Sequence, residues 1–392
     1  MIKFEKALDI VLNSVQYTLQ TERVDFTDSL GRILAEDVKS DINMPPFDKS
    51  AMDGFACRRD DIDNELEVIE VLPAGKVPEK SIGKNQCTKI MTGAIVPEGA
   101  DCVIMVEHTE AAGDNSIRFT FDYTSNNICY FAEDIKKDDL VLKKRIEIKP
   151  QHIAVMASVG YTNALVYKQP RVGIISTGDE LVEPSVFPAK SQIRNSNSHQ
   201  LVAQVTRTGA IPVYIGIAGD SEEITFTTIS KALQENDIVL LTGDVSMGDF
   251  DFVPEIMTKS GVDIKFRTLA VKPGKPTIFG TFGENKFIFG LPGNPVSSYT
   301  QFEFLAKPLI LKLMGSLELP LTLKLPMGGE YSRRKSVRKS FIPVNISEGK
   351  VYPVEYHGSA HINALCGADG LISIPAGVAE IKKGTAVNVR QI

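Results

Sequence analysis

The sequence predicts a multidomain protein of mixed α/β and β class, in which a central doubly wound α/β domain is combined with helical linker segments and two β-rich regions. Apolar runs alternate with helical segments between residues 171 and 315, which indicates a parallel sheet covered on both faces. Short β-rich runs separated by Gly, Pro and Asp turns fill residues 54–139 and 316–392. The length of 392 residues suits about two to four domains.

The N-terminal segment is predicted to be helical. Apolar residues recur every three or four positions over residues 3–19, as on one face of a helix. A second apolar-periodic piece covers residues 27–39. Two prolines within residues 44–48 force extended or turn geometry there. Residues 150–168 are again predicted to be helical, opening at a proline and closing near Gly160.

The central α/β domain follows from a regular alternation of elements. Ser196 is the predicted N-cap of a helix that stops at Gly209, and Asp220 with Glu223 has capping-box spacing. The predicted strands are 172–176, 211–217, 237–241, 267–271 and 287–291, and the predicted helices are 197–208, 220–235, 252–260 and 295–314.

Composition and charge exclude several classes of protein. Hydrophobic residues make up 43% and charged residues 23%, as in an ordinary globular chain. The net charge of −6 argues against a nucleic-acid binder. Five well-separated cysteines without a Cys-x-x-Cys pair favour reduced thiols over disulfides or structural zinc. No apolar run is long enough to span a bilayer and no signal peptide is recognised, so we expect no membrane association and a cytoplasmic location.

Four loops that follow predicted strands carry the residues best suited to chemistry. In open α/β sheets ligands bind at the carboxyl ends of the strands. The four loops are Thr177-Gly178-Asp179-Glu180, the acidic stretch 242–251, Lys272-Pro273-Gly274-Lys275-Pro276 and Pro292-Gly293-Asn294-Pro295. Glycines allow close approach of the backbone to a ligand, and helix N-termini favour anions. Their combination indicates a ligand that carries phosphate.

The charges in these loops indicate a metal ion as well. Carboxylates beside a phosphate make sense if Mg²⁺ bridges the two sets of oxygens, while Lys272 and Lys275 would supply positive charge to a phosphate or oxyanion. The chain has no Walker-type phosphate loop, which argues against an NTPase. No Gly-x-Gly-x-x-Gly follows the first strand of the α/β domain, which weakens the case for a dinucleotide-binding protein.

At these residues the sequence resembles the molybdopterin molybdenumtransferase (MoeA) family, to which the C-terminal part of gephyrin also belongs. The resemblance covers essentially the whole chain. The matching motifs, in order, are Phe47-Asp48-x-Ser-Ala-Met-Asp-Gly54, Met91-Thr-Gly93, Ser176-Thr-Gly-Asp-Glu180, Val245-Ser-Met-Gly-Asp249 with Asp251, Lys272-Pro-Gly-Lys-Pro276 and Gly290-Leu-Pro-Gly-Asn-Pro295.

The resemblance implies four domains and a homodimer in which each site is shared between subunits. The domains would be a helical linker domain (1–25, 40–53 and 140–170), an inserted β domain (26–39 and 54–139), an α/β molybdopterin-binding-like domain (171–315) and a C-terminal β-barrel (316–392). The implied reaction inserts molybdate into adenylylated molybdopterin and releases AMP, with Mg²⁺. Implied protein partners are the molybdopterin adenylyltransferase and the recipient molybdoenzymes.

The resemblance also implies roles for individual residues. The catalytic set would be Asp53, Thr92, Asp134, Glu180, Asp220 and Asp251, the first three contributed across the dimer. The metal set would be Glu180, Asp220 and Asp251. The substrate-binding set would be Thr177, Gly178, Gly243, Ser246, Lys272, Lys275, Pro292, Pro295 and Ser359.

The chain departs from the family pattern at three positions. Cys129 stands where arginine is usual, Ala132 where glycine is usual, and Asp244 where a second glycine is usual. These departures leave room for a catalytically weakened scaffold or cofactor carrier of the same fold. An adenylyltransferase is a second alternative, because the α/β domain alone resembles that enzyme, although the extra β domains and the motif around Asp53 favour the insertion reaction.

Overall fold

A computed structural model describes residues 1–219, 221–243, 253–317 and 320–392. The chain forms two compact units. The first comprises Met1–Glu36, Arg145–Lys149 and Asn163–Ile392, and the second comprises Asp37–Lys144 and Pro150–Thr162. The α-helices are α1 (Phe4–Asn13), α2 (Pro150–Ser158), α3 (Ser196–Arg207), α4 (Glu222–Glu235), α5 (Val253–Lys259), α6 (Pro295–Gln301) and α7 (Lys307–Leu313).

A six-stranded sheet forms the centre of the first unit. Its strands in chain order are β1 (Arg171–Thr177), β2 (Ile211–Ala218), β3 (Ile238–Gly243), β4 (Asp263–Phe266), β5 (Ile278–Phe282) and β6 (Lys286–Pro292). Their order across the sheet is β2-β1-β3-β6-β5-β4. Neighbours among the first four are parallel, and β5 is antiparallel to both of its neighbours. The predicted mixed α/β and β class is therefore confirmed, with one antiparallel strand that the sequence did not indicate.

The central strands β1, β3 and β6 are buried along almost their whole length. This burial explains why they read as continuous apolar runs rather than as an alternating pattern. Helices α3, α6 and α7 contribute to the core on one side of the sheet, and α4 and α5 contribute to the core on the other. A short π-helical segment, Phe302–Ala306, connects α6 with α7, so the predicted helix 295–314 is continuous but not uniformly α-helical.

Two predicted helices are shorter than the periodicity indicated. Helix α1 ends at Asn13, because Asn285 takes the backbone groups that would continue it: its Oδ1 accepts from the Gln16 N–H at 3.3 Å and its Nδ2 donates to the Tyr17 carbonyl at 3.0 Å. Likewise the helix predicted over 150–168 ends at Ser158. Residues Asn163–Tyr167 instead form a strand antiparallel to Thr21–Asp25.

Two further predictions in the α/β region need correction. The N-cap of α3 is Asn195 rather than Ser196, because the Asn195 Oδ1 accepts from the Ser198 N–H at 3.2 Å. No strand covers 267–271. Instead β4 ends at Phe266, and Val271–Lys272 pairs with Lys339–Ser340 in another sheet. Asp220, the predicted start of the next helix, lies outside the described residues.

The C-terminal region closes into a barrel. Lys339–Ser347 pairs with Lys350–Pro353 and with Gly370–Ile374, and the ladder continues through Ala386–Gln391 to Thr322–Pro326. Met327, which directly follows Thr322–Pro326, forms a parallel bridge with Val351 of Lys350–Pro353, and this bridge closes the ring. The predicted β-rich C-terminal region thus has the barrel form. A separate two-stranded pair joins Tyr331–Ser332 to Glu380–Ile381, and another joins Leu181–Val182 to Ile193–Arg194.

The second unit contains another six-stranded sheet. Its strands, in order across the sheet, are Cys102–Met105, Gly54–Cys57, Gln86–Ile90, Leu66–Leu72, Ser116–Phe119 and Thr109–Gly113. Short antiparallel pairs join Val38–Lys39 to Leu140–Leu142 and Lys49–Ser50 to Ile128–Cys129.

All five cysteines are free, as predicted. Cys57 lies opposite both Cys87 and Cys102 in the sheet of the second unit, and all three side chains are buried. Burial raises the pKa of the Cys87 thiol to about 12, which keeps it protonated at neutral pH. Across the described parts of the chain, no helix has both the length and the apolar character that crossing a membrane would require.

Candidate active site

The ends of three strands that lead into predicted loops meet at one edge of the sheet in the first unit. Strands β1, β3 and β6 are adjacent and parallel, so their carboxyl ends lie side by side. Ser176 is in register with Thr242, and Gly243 with Pro292. The structure therefore brings together the residues at the ends of these strands, Thr177-Gly178, Gly243 and Pro292-Gly293.

Gly243 allows the backbones of these loops to pack directly against each other. Its φ is +146°, a region that other residues rarely adopt. A Cβ on Gly243 would lie 2.2 Å from the Thr177 Oγ1 and 2.3 Å from the Thr177 carbonyl oxygen. On the other side, a Cβ on Gly293 would approach the Gly243 carbonyl oxygen to 3.2 Å. Glycine at 243 is thus a requirement of the packing at this edge.

The side chain of Asn197, in the first turn of α3, links the ends of β3 and β6 by hydrogen bonds. Its Nδ2 donates to the Thr242 Oγ1 at 3.0 Å and to the Gly293 carbonyl oxygen at 2.7 Å. Its own Oδ1 and the Thr177 Oγ1 are buried without a hydrogen-bond partner in the described structure. Buried polar atoms are normally satisfied, so these two indicate a place where water or a ligand completes the site. Asn197 is not among the residues predicted for the site from the sequence; its place in an Asn-Ser-Asn-Ser run at the start of a helix was the available signal.

The loop that carries the paired lysines is held by Gln301 of α6. Gln301 Nε2 donates to the Pro273 carbonyl oxygen at 3.1 Å. Gly274 has φ +97°, and a Cβ there would lie 2.3 Å from the same nitrogen. Lys272 and Lys275 are both exposed. The loop backbone is fixed while the two ammonium groups remain accessible to an anion.

Ser359 lies beside the start of α6. Its carbonyl oxygen accepts from the Val296 N–H at 3.0 Å. Val296 follows Pro295, the first residue of the helix, and the loop from Pro292 leads directly into it. The structure therefore places the predicted residues Pro295 and Ser359 together, next to the end of β6.

Glu180 is the one predicted metal ligand that the structure describes. It is exposed, and its carboxylate lies over Gly178: a Cβ on that glycine would be 2.5 Å from the Glu180 Oε2. Asp220, Asp251 and Ser246 lie outside the described residues, as does Asp244. No group of three His, Cys, Asp or Glu side chains suited to a metal occurs among the residues that the structure describes.

Asp53 and Thr92 form a close contact in the second unit although 39 positions separate them. The Asp53 Oδ1 accepts from the Thr92 Oγ1 at 2.7 Å and from the Thr92 N–H at 2.6 Å. These two hydrogen bonds, the side-chain one first, hold the pKa of the Asp53 carboxyl below its usual range. Both residues are exposed. The pair therefore presents an ionised carboxylate at neutral pH.

Gly54 follows Asp53 and begins an interior strand of its sheet, next to the edge strand Cys102–Met105. A Cβ on Gly54 would lie 1.9 Å from the Ile104 carbonyl oxygen. The predicted motif therefore has a packing reason for its glycine. Asp134 is exposed farther along the same unit, and its N–H donates to the Met44 carbonyl oxygen at 3.0 Å.

We expect replacement of Thr92 by valine to raise the pKa of Asp53, because the larger of the two hydrogen bonds that lower it is lost. An NMR titration of the Asp53 carboxyl measures this shift. While its pKa is lowered, the carboxylate stabilises the fold above its ordinary pKa, and this contribution is lost as the pH falls through the lowered value. Thr109→Val, which removes a hydroxyl that donates to the Val106 carbonyl oxygen, is the control. An unchanged pKa of Asp53 in Thr92→Val would contradict the assignment.

Ala132 adopts a backbone conformation that favours glycine, with φ +57°. We expect Ala132→Gly to stabilise the fold by about 1 kcal/mol, because alanine is strained in this left-handed region. The control is Ala111→Gly in the exposed strand Thr109–Gly113, where we expect destabilisation of roughly 0.5–1 kcal/mol. Urea unfolding of both variants measures the difference, and shifts of the same sign would contradict it.

Three family models match the chain. The MoeA N-terminal region (domain I and II) matches residues 2–160, the model described as "Probable molybdopterin binding domain" matches residues 173–312, and the MoeA C-terminal region (domain IV) matches residues 329–392.

Curated relatives and solved structures match nearly the whole chain. The molybdopterin molybdenumtransferase of Bacillus subtilis strain 168 is 37% identical over 94% of this chain and 89% of its own length. That of Staphylococcus aureus strain Mu50 is 33% identical over 99% and 95%. Among solved structures, the molybdopterin biosynthesis moeA protein from Pyrococcus horikoshii OT3 has a TM-score of 0.85 and 30% identity, with 100% of both chains covered.

Proposed function

We propose that this chain, which belongs to the MoeA family and is a molybdopterin molybdenumtransferase of molybdenum cofactor biosynthesis, inserts molybdate into adenylylated molybdopterin. The reaction would release AMP and would depend on Mg²⁺. One observation supports the detailed proposal most strongly. The carboxyl ends of β1, β3 and β6 lie side by side at one sheet edge, and the Thr177 Oγ1 there is buried without a partner in the described structure. Such an edge is where α/β sheets bind phosphate-bearing ligands.

We assign the positive end of the site to Lys272 and Lys275. Molybdate is a small tetrahedral oxyanion, and its binding requires donors and positive charge. Both ammonium groups are exposed on a loop whose backbone Gln301 holds. Pro292, Pro295 and Ser359 would shape the neighbouring surface for the oxyanion and the pterin.

We assign the metal site to Glu180 together with Asp220 and Asp251. The fit rests on the donor chemistry: carboxylate oxygens are the ligands that Mg²⁺ prefers, and the Glu180 carboxylate is exposed over a glycine at the same sheet edge. A bound Mg²⁺ would neutralise charge on the phosphoryl oxygens. Thr177, Gly178, Gly243 and Ser246 would contact the nucleotide end of the substrate.

These residues would act by positioning charge rather than by a covalent intermediate. The lysines hold the oxyanion, and the strand-end loops hold the phosphoryl group with backbone and hydroxyl donors. Donors fixed before the reaction cost no reorganisation when charge develops in the transition state. Asp53, Thr92 and Asp134 would complete each site from the second copy in a homodimer. The molybdopterin adenylyltransferase would supply the substrate, and recipient molybdoenzymes would take the product.

The direct test is to incubate the purified chain with adenylylated molybdopterin and Mg²⁺ and to measure AMP with and without molybdate. We expect AMP release that requires molybdate. Tight binding without release would instead favour the cofactor carrier or scaffold. Consumption of ATP by unmodified molybdopterin would favour the adenylyltransferase reaction.

Cys129 occupies the position where the family pattern has arginine. We expect Cys129→Arg to tighten the binding of molybdate or of the nucleotide by several-fold, because a guanidinium adds a charged donor to the segment that pairs with Lys49–Ser50. Calorimetric titration measures this change, with Cys366→Arg, another non-buried cysteine, as the control. Equal affinities for the parent chain and Cys129→Arg would show that position 129 does not contact the anion.

A further inference from the structure

Lys49 lies at the centre of a three-segment ribbon in the second unit, formed by residues 48–53, 92–96 and 127–131. Lys49 is directly opposite Cys129 in the antiparallel pair of Lys49–Ser50 with Ile128–Cys129. On its other side it forms an antiparallel bridge with Ile95. Directly opposed residues place their side chains on the same face, so the lysine side chain stands between a thiol and an isoleucine.

The charge of Lys49 is not neutralised by these neighbours. Both cross-strand residues are uncharged, and Lys49 forms no salt bridge with any carboxylate in the described ranges of the chain. The side chain is also partly buried. An ammonium group that no described carboxylate pairs with is available to bind an anion.

The same ribbon contains the Asp53–Thr92 contact. The Gly93 N–H donates to the Ser50 carbonyl oxygen at 2.8 Å, the Ser50 N–H to the Ala94 carbonyl oxygen at 2.9 Å, and the Ala51 N–H to the Asn127 carbonyl oxygen at 2.9 Å. These bonds join the three segments into one continuous piece. Lys49 therefore belongs to the same hydrogen-bonded ribbon as the Asp53–Thr92 pair.

The side chain of Lys49 and that of an arginine at position 129 can reach the same region on one face of the ribbon. Directly opposed Cβ atoms lie about 4.5–5.5 Å apart, a distance shorter than either an extended lysine or an extended arginine side chain. A cation from residue 49 can thus reach the region that a guanidinium at residue 129 would occupy. The register supplies a reason why cysteine is compatible with function at 129 in this chain.

We propose that Lys49 binds the tetrahedral oxyanion of the substrate, in place of the arginine that is usual at position 129. The ligand is either molybdate or the phosphoryl group of adenylylated molybdopterin, which share the same tetrahedral oxygen chemistry. This inference rests on the proposed function, because it requires the surface around Asp53 to face the substrate.

The test compares Lys49→Met and Lys49→Arg in the full-length chain. If Lys49 binds molybdate, we expect Lys49→Met to raise the KM for molybdate by roughly 10-fold. If it binds the phosphoryl group, we expect a similar rise in both the KM for adenylylated molybdopterin and the Ki of AMP. Lys49→Arg should retain values near those of the parent. Lys39→Met, on an exposed strand residue opposite Leu140, is the matched control and should change none of them.

A double variant separates binding from a structural role. Adding Cys129→Arg to Lys49→Met should restore most of the lost affinity, and the gain should exceed the gain from Cys129→Arg in the parent chain. Unchanged constants in Lys49→Met, or a loss that neither arginine variant restores, would overturn the proposal. If the parent releases no AMP, calorimetric titration with molybdate and with AMP measures the parent and the same five variants, so that failure of the proposed reaction and failure of the Lys49 assignment are distinguishable.

Discussion

Replacing Asp251 with asparagine is expected to reduce molybdate-dependent AMP release about 100-fold or more while the chain remains folded and self-associated. The substitution preserves the shape of the side chain but removes a unit of negative charge from the carboxylate set assigned to Mg²⁺. Loss of several kcal/mol of electrostatic stabilisation corresponds to such a factor, since about 1.4 kcal/mol changes a rate tenfold. Initial rates over a range of Mg²⁺ concentrations measure the effect.

The control for this prediction is Asp114→Asn, which makes the same chemical change in an exposed turn. It should leave the rate unchanged. A rate for Asp251→Asn within twofold of the parent would refute the metal role of this residue.

Mixing variants extends the test to the shared site. Asp53→Asn and Asp251→Asn should each be inactive alone. When the two are unfolded and refolded together, heterodimers should regain activity, because one of their two sites then combines an intact Asp53 with an intact Asp251. No recovery in a mixture shown to contain heterodimers would contradict a site shared between subunits.

Replacing Gly243 with alanine is expected to destabilise the first unit by about 3 kcal/mol and to abolish turnover. The new Cβ would lie 2.2 Å from the Thr177 Oγ1, and the φ of +146° is unfavourable for alanine. Because the obstructing atoms include the Thr177 backbone, the strain cannot be relieved by rotating a side chain. Thermal unfolding of the purified variant measures the loss.

Gly283→Ala separates the effect of the close contact from that of backbone conformation. Gly283 also has a positive φ, +53°, but nothing lies within 4 Å of its hypothetical Cβ. We expect this variant to lose only about 1 kcal/mol. Similar losses in the two variants would show that the contact with Thr177 does not determine the stability of this edge.

Helices and strands that are determined by their own residues could be predicted from the sequence. Strands β1, β3 and β6 are buried on both faces, so each appears as an apolar run of strand length. Helix α3 has polar residues at its start and Gly209 at its end, and its bounds were correct within one residue. The meeting of the carboxyl ends of β1, β3 and β6 also followed, because parallel strands end at the same edge. The lysine loop 272–276 was expected at this edge after a strand over 267–271, and no strand of this sheet covers those residues.

Features fixed by distant residues could not be predicted. Helix α1 ends early because Asn285, nearly 270 positions away, binds the next backbone groups. Strand Asn163–Tyr167 exists because Thr21–Asp25 pairs with it, while its apolar residues fit a helix equally well. The contact of Asp53 with Thr92 and the placement of Lys49 opposite Cys129 depend on strand register, which local patterns do not specify.

The proposed function requires molybdenum insertion to be coupled to AMP release, and the stoichiometry of the two products measures this coupling. Single-turnover reactions with adenylylated molybdopterin, Mg²⁺ and molybdate would be analysed for AMP and for molybdenum bound to the pterin product. We expect equal molar amounts of the two throughout the reaction, and no AMP when molybdate is omitted. AMP released at the same rate without molybdate, or without molybdenum in the product, would contradict it.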